Sequence, residues 1–157
     1  MKKIIFLFLM FSAIVFAEWK VAASFFDEDP ITIFATADLE KNSIIGIGVS
    51  VEALGYSVIL ISNNEIKKGD NLMLIIKDNE GDDIYCNFDS EYIVDDYIHI
   101  PPNKANLLTK MLYNGKSAVL ENTDTDEILA TFDLSGIKKV MQKHVGKSYW
   151  YEYKLND

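Results

Sequence analysis

The sequence predicts a mainly β protein, an antiparallel β-sandwich or flattened barrel with two short α-helices. Apolar and polar residues alternate with period two in short runs that are rich in β-branched and aromatic side chains. Clusters of Gly, Asn and Asp interrupt these runs about every ten positions, as in proteins built from hairpins. Two further segments carry the period of an amphipathic helix, which suits helices packed on the edge or end of a sheet.

The short connections between the strands favour antiparallel pairing, because a parallel crossover needs a much longer link. Gly, Asn and Asp suit such turns, since they tolerate positive φ or bond their own backbone. The predicted strands are Trp19–Ser24, Ile31–Ala37, Ile44–Val51, Tyr56–Ser62, Leu72–Lys77, Asp83–Phe88, Tyr92–Ile98, Ala118–Asn122, Ile128–Asp133 and Tyr149–Tyr153.

Each predicted helix spans about three turns and has one apolar stripe. The first follows Pro101-Pro102, takes Asn103 as its N-cap and ends at Asn114-Gly115. The second takes Ser135 as its N-cap and ends at Gly146. The phase of the strands and helices predicts the following core residues: Trp19, Ile33, Ile45, Ile47, Val58, Leu60, Leu74, Ile76, Ile84, Phe88, Leu108, Leu112, Leu129, Phe132, Ile137, Val140 and Met141.

Residues 1–17 have the pattern of a secretory signal peptide. Met1-Lys2-Lys3 is positively charged, Ile4–Phe16 is apolar except for one serine, and Ala17 provides the small residue before a cut. The apolar run is shorter than the roughly 20 residues that cross a bilayer. We therefore expect residues 18–157 to form a single β-rich exported domain, periplasmic or secreted, with no membrane insertion after cleavage.

The charge of the chain argues against some partners. The net charge is −9, no arginine is present, and cleavage of the leader would remove two lysines. Nucleic-acid binding depends on a cationic surface, so we expect no nucleic-acid partner. An acidic protein attracts cationic partners, although net charge also simply keeps an exported domain soluble.

No residue set predicts catalysis, and we expect the protein not to be an enzyme. His99 and His144 lie in no recognisable signature, and Cys86 is the only cysteine, so an internal disulfide is excluded. The alternation around Cys86 predicts a thiol on the core side, although pairing with another chain stays open.

We also expect no bound cofactor or metal. Zinc sites need clustered ligands, and the chain has one cysteine and two distant histidines. The acidic turns do not match the spacing of an EF-hand, although a calcium site in one of them stays open. These turns are Asp27–Asp29, Asp78–Asp83, Asp95–Asp96 and Asp124–Glu127.

Two kinds of residue are candidates for contacting a protein partner. Tyr149, Tyr151 and Tyr153 share one face of the last predicted strand, where a row of tyrosines forms either a binding surface or cross-strand aromatic packing. The acidic turns supply the second kind. Their candidate residues are Asp78, Glu80, Asp82, Asp124 and Asp126.

The segment Phe132–Ile137, Phe-Asp-Leu-Ser-Gly-Ile, leads into a short amphipathic helix, and Trp19 and Asp29-Pro30 lie near the other end of the chain. With the helix from Asn103 to Gly115, these features resemble the invasion-associated locus B family of exported bacterial proteins. The resemblance implies a periplasmic or secreted β-sandwich that is linked with host-cell invasion and is not an enzyme. The chain departs from that family in its single cysteine and its acidic, arginine-free composition.

The leading functional prediction is a non-enzymatic exported module that contacts another protein in the envelope or outside the cell, with host interaction as one role. One alternative is an inhibitor or immunity-type protein that blocks a hydrolase with an acidic loop. Another is a hydrolase that cleaves envelope polymers through paired carboxylates.

Overall fold

The computed structural model describes residues 18–25, 31–50 and 57–145, which form two antiparallel sheets and two helices. The predicted leader and the predicted strand Tyr149–Tyr153 lie outside these residues. The strands are β1 (Lys20–Phe25), β2 (Ile31–Asp38), β3 (Ser43–Ser50), β4 (Ser57–Ser62), β5 (Leu72–Asp78), β6 (Asp83–Phe88), β7 (Ile93–Val94), β8 (Tyr97–Ile100), β9 (Gly115–Asn122) and β10 (Glu127–Asp133). The helices are α1 (Pro102–Asn114) and α2 (Ile137–Val145).

The first sheet has the strand order β1-β2-β3-β4-β8-β7, and the second has the order β10-β9-β5-β6. Every described pair of strands is antiparallel, as the short connections predict. Within the described residues the two sheets stay separate and do not close into a barrel. The predicted mainly β fold with two short helices is therefore confirmed, in its sandwich form.

The core lies between the inner faces of the two sheets. Ile47 of β3 and Ile59 of β4 belong to the same cluster as Leu74 of β5 and Leu120 of β9, and all four are fully buried. Burying one such side chain contributes about 1.5–3 kcal/mol. Leu112 of α1 belongs to the same cluster, so the helix is an integral part of the core.

The predicted core phase is wrong in β4. Val58 and Leu60 are only half-buried on the outer face, whereas Ile59 and Ile61 are fully buried. The four central residues of this strand are all apolar, so alternation carries no information about which face is buried. Pairing with β3, which places Ile59 opposite Ile47, fixes the phase instead.

The predicted strand Tyr92–Ile98 is also wrong. A short 3-10 helix covers Ser90–Tyr92, and the tight turn at Asp95–Asp96 then separates β7 from β8. Asp95 has a φ of 57°. Aspartate tolerates this left-handed conformation, so two consecutive aspartates reverse the chain where apolar alternation suggested continuity.

Both predicted N-caps are displaced. Helix α1 begins at Pro102 with Pro101 as its N-cap, and the Pro101 carbonyl accepts hydrogen bonds from Lys104 and Ala105. Asn103 is therefore not the cap, because proline with its preset φ takes the first helical position. Before α2, Gly136 and not Ser135 directly precedes the helix, and its φ of 85° turns the chain into it.

The two outer edges of the second sheet differ. On β10, Asp38 accepts the Thr131 N–H at 2.7 Å, and the Asn63 side-chain amide donates to the Leu129 carbonyl at 2.8 Å. The Trp19 indole donates to the Asp133 carbonyl at 2.9 Å. Side chains from the first sheet and its flanks therefore cover the β10 edge, whereas β6 ends the sheet on the other side. Neither helix in the described part of the chain is long and apolar enough to cross a membrane.

Candidate binding groove

A groove with a volume of about 160 Å³ lies between β6 and α1. One wall is the last part of β6, the other is the side of the helix, and Ile100 and Tyr92 close it between them. The lining residues are Cys86, Asn87, Phe88, Asp89, Tyr92, Ile100, Lys104, Leu107, Leu108 and Met111.

The backbone of β6 is open along this groove. Among the described residues no strand pairs with β6 on the side away from β5. The hairpin closes through the Asp78 N–H and the Asp82 carbonyl at 2.9 Å. Because hydrogen-bonded pairs alternate along an antiparallel ladder, the peptide groups of Asp83, Tyr85 and Asn87 point outward.

The groove is mostly apolar. The side chain of Leu107 is 52% exposed, although it lies on a helix whose other leucines are buried. Across from it, Cys86 points inward with its sulfur 3.8 Å from that of Met111. Burial raises the pKa of the Cys86 thiol, so the thiol is held as a neutral, apolar group. The predicted core-side direction of Cys86 is thus observed, with the side chain half-buried.

A lysine lies at one end of the groove. The Lys104 ammonium is 4.8 Å from the centre of the Tyr92 ring. The hydrogen bond to Tyr92, together with the nearby Glu91 and Asp89 carboxylates, raises the pKa of Lys104. This end therefore contains a cation whose charge is partly offset by its own neighbours.

The acidic turn Asp78–Asp83 does not line the groove and lies beyond it, where β6 begins. One carboxylate oxygen of Asp78 accepts the N–H groups of Glu80, Gly81 and Asp82 at 2.8–2.9 Å. This pattern fixes the turn, and Gly81 takes the left-handed position with a φ of 96°.

The same turn is tied to the C-terminus of α1. The Asn79 side-chain amide donates to the Asn114 carbonyl at 2.8 Å. A helix C-terminus carries partial negative charge, and the last turn of α1 contains no basic residue. The helix dipole therefore adds to the negative charge of the carboxylates at the start of β6.

Asp78, Glu80 and Asp82 bring carboxylate oxygens within 4.8 Å of one another. The Asp78 oxygen that organises the turn already accepts three hydrogen bonds, and Glu80 and Asp82 are exposed. Exposed acidic turns of this kind are common without an ion, and we assign no metal to this one.

The second acidic turn is remote from the first. Asp124 accepts hydrogen bonds from the backbone and side chain of Asn71, at 3.1 and 2.8 Å. These bonds, the side-chain one foremost, lower the pKa of Asp124. Asn71 precedes β5 and Asp78 ends it, so Asp124 and the exposed Asp126 lie at the opposite end of β5 from the Asp78–Asp83 turn, and neither lines the groove.

The other predicted residues do not meet at one place. Tyr149, Tyr151 and Tyr153 lie outside the described residues. His99 is exposed on β8 opposite Leu60, and His144 is exposed in the last turn of α2 with its ring 6.1 Å from that of Phe34.

Sequence reasoning found the acidic turn but missed the groove beside it. The predicted apolar stripe of this helix did not distinguish an exposed position such as Leu107 from a buried one. Comparison with protein-family models, with curated proteins and with solved structures gave no match.

Proposed function

We propose that this protein is a non-enzymatic exported binding module that contacts another protein in the envelope or outside the cell. The groove between β6 and α1 is the single observation that carries the proposal. Apolar recesses with a few polar groups at their rim are typical of binding sites. The leader-like residues 1–17 support export, and the family resemblance supports a role in host interaction.

Two features of the groove support a protein as the ligand. Leu107 exposes a large apolar side chain beside the recess, and contact with another protein there would remove this apolar surface from water. The open backbone of β6 offers hydrogen-bond donors and acceptors in a row, which another polypeptide chain can match.

The test compares capture by three forms of the purified protein from envelope and culture-supernatant extracts. Leu107→Asp changes the groove, and Leu39→Asp is the matched control, because Leu39 is 51% exposed in a turn between β2 and β3. We expect a partner that the wild type and Leu39→Asp retain and that Leu107→Asp loses. A partner retained equally by all three proteins would refute the groove as its binding site.

A second function rests on the acidic turn. Its rigid hydrogen bonding and the exposure of Glu80 and Asp82 suit an inhibitor that inserts a preformed loop into a cationic cleft. In that case the double variant Glu80→Gln and Asp82→Asn would lose inhibition of an envelope hydrolase, while Leu107→Asp would keep it.

A further inference from the structure

We infer that β6 binds an extended segment of its partner as an added strand, with apolar side chains on α1 and a lysine or arginine at the acidic turn. This inference rests on the proposed function and specifies the ligand of the same groove. Three independent features lead to it: the open backbone, the apolar wall and the distribution of charge.

The first feature is the backbone. Asp83, Tyr85 and Asn87 present their N–H and C=O groups outward along a strand of 6 residues. At about 3.4 Å per residue, such an edge accommodates a segment of about six residues in extended form. Main-chain hydrogen bonds then provide affinity, and alternate side chains provide specificity.

The second feature is the apolar wall. Side chains of the added strand that point to the inner face would meet Leu107 and Met111 beside Cys86. The volume of about 160 Å³ suits one side chain of leucine or phenylalanine size, since a cavity of about 150 Å³ holds a benzene ring. The side chains between them would point to the outer face, where Tyr85 is 61% exposed and offers an aromatic neighbour.

The third feature is the charge at the start of β6. Asp78, Glu80, Asp82 and Asp83 lie within six consecutive residues, and Lys77 pairs with Asp83 at 3.7 Å. The C-terminus of α1 adds further negative potential to this end. A cationic side chain on the added strand is therefore favoured there, and an acidic one is disfavoured.

The same charges argue against a second copy of this chain as the occupant. Antiparallel pairing of two β6 edges brings the acidic turn of one copy to Asp89 and Glu91 of the other, whose negative charge Lys104 offsets only in part. Like charges that face each other across a ladder are destabilising. These charges therefore disfavour pairing of β6 with a second copy of the chain and favour its pairing with a basic segment.

The test begins with a phage library of random eight-residue peptides selected on the full-length protein. We expect enriched sequences with apolar residues at alternate positions and lysine or arginine at one end. A synthetic peptide of the enriched sequence should bind at least ten times more weakly to Leu107→Asp and to the Glu80→Lys, Asp82→Lys double variant. Leu39→Asp should bind it within twofold of the wild type.

N-methylation of the peptide tests the strand geometry without altering the protein. Methyl groups on the backbone nitrogens that face β6 should abolish binding, and methyl groups on the intervening nitrogens should leave most of it. The bound peptide should also slow alkylation of Cys86, which lies in the groove.

Equal effects of the two methylation patterns would overturn strand addition, and enriched peptides without a basic end would overturn the charge assignment. If no peptide is enriched but Leu107→Asp still fails to capture the partner, strand addition is refuted and the proposed binding function is retained. If no partner is captured at the groove either, both proposals fail.

Discussion

Asn63 is fully buried, and its side chain joins three separate segments of the chain. The side-chain amide donates to the Leu129 carbonyl of β10 and to the Ser43 hydroxyl of β3. Its carbonyl accepts the Glu65 N–H at 2.7 Å. One polar residue therefore holds the two sheets together at the β10 edge while satisfying the buried Leu129 carbonyl.

We predict that Asn63→Ala lowers the free energy of unfolding by about 2–4 kcal/mol, because it removes the hydrogen bonds of a fully buried amide to Leu129, Ser43 and Glu65. Chemical denaturation followed by circular dichroism measures the change. The adjacent exposed residue provides the control, and Asn64→Ala should change stability by less than about 0.5 kcal/mol. Similar values for the two variants would show that the Asn63 bonds are not structural.

Asp124 is expected to make stability depend on pH. Its folded-state pKa lies below the ordinary 3.8, because Asn71 donates two hydrogen bonds to the carboxylate. The resulting stabilisation is present above pH 3.8 and is lost as the pH falls through the lower folded value. Asp124→Asn should therefore have a lower melting temperature than the wild type at pH 7, and the difference should disappear in acid.

Thermal unfolding at a series of pH values between 7 and 2 measures this difference. Asp126→Asn is the matched control, since Asp126 lies in the same turn and makes no hydrogen bond to Asn71. Asparagine also tolerates its φ of 55°. A gap between Asp124→Asn and the wild type that stays constant down to the lowest pH would contradict the role of Asn71.

At the scale of elements, the passage from α1 into β9 depends on the absence of a side chain. A Cβ atom at Gly115 would lie 2.6 Å from a methyl group of Leu134 and 2.9 Å from one of Ile76. The backbone angles of Gly115 are ordinary, with a φ of −81°, so the requirement is one of space and not of conformation. The helix reaches the sheet here without a linker, and glycine makes that close approach possible.

Gly115→Ala should therefore lower the free energy of unfolding by about 1–3 kcal/mol, the usual effect of overpacking a core. The exposed neighbour gives the control, and Lys116→Ala should unfold within about 0.5 kcal/mol of the wild type. An alanine variant as stable as the wild type would show that Leu134 and Ile76 move aside at little cost.

The sequence predicts best those strands in which apolar and polar residues alternate without interruption. The predicted strand Asp83–Phe88 matches the observed one, and its inward residues follow from polar neighbours. The pattern failed in β4, where a continuous apolar run has no phase, and at Asp95, where a turn interrupts an apolar stretch. Phase needs polar contrast, which β4 lacks, and at Asp95–Asp96 the polar residues mark a turn and not an outward-facing position in a strand.

The groove was beyond sequence reasoning for a different reason. Which strand ends a sheet depends on pairing between distant segments, and β5 has its neighbours at β6 and β9 rather than at β4. The local sequence pattern predicted the Asp78–Asp83 turn and the apolar stripe of α1, but as two unrelated features. Only the fold places the end of that helix against that turn, through Asn79 and Asn114.

For the whole molecule, the distribution of charge governs how the open β6 edge behaves in solution. The β10 edge is covered by side chains from the first sheet, so among the described residues of the second sheet the exposed edge is β6. Open edges promote association between copies unless charge or shape prevents it. The net charge of −9 and the acidic turn at the start of β6 both act against such association.

We predict that removing two of these charges, with Asp82→Asn and Asp83→Asn together, strengthens self-association. Each like-charge contact across a ladder costs about 0.2–1 kcal/mol, and a two-fold arrangement repeats the contact, so the association constant should rise about 2- to 30-fold. Sedimentation velocity over a range of protein concentrations measures it. The double variant Asp95→Asn, Asp96→Asn changes the net charge equally at the β7–β8 turn. If it associates as strongly, net charge alone keeps the copies apart, and the β6 edge has no special protection.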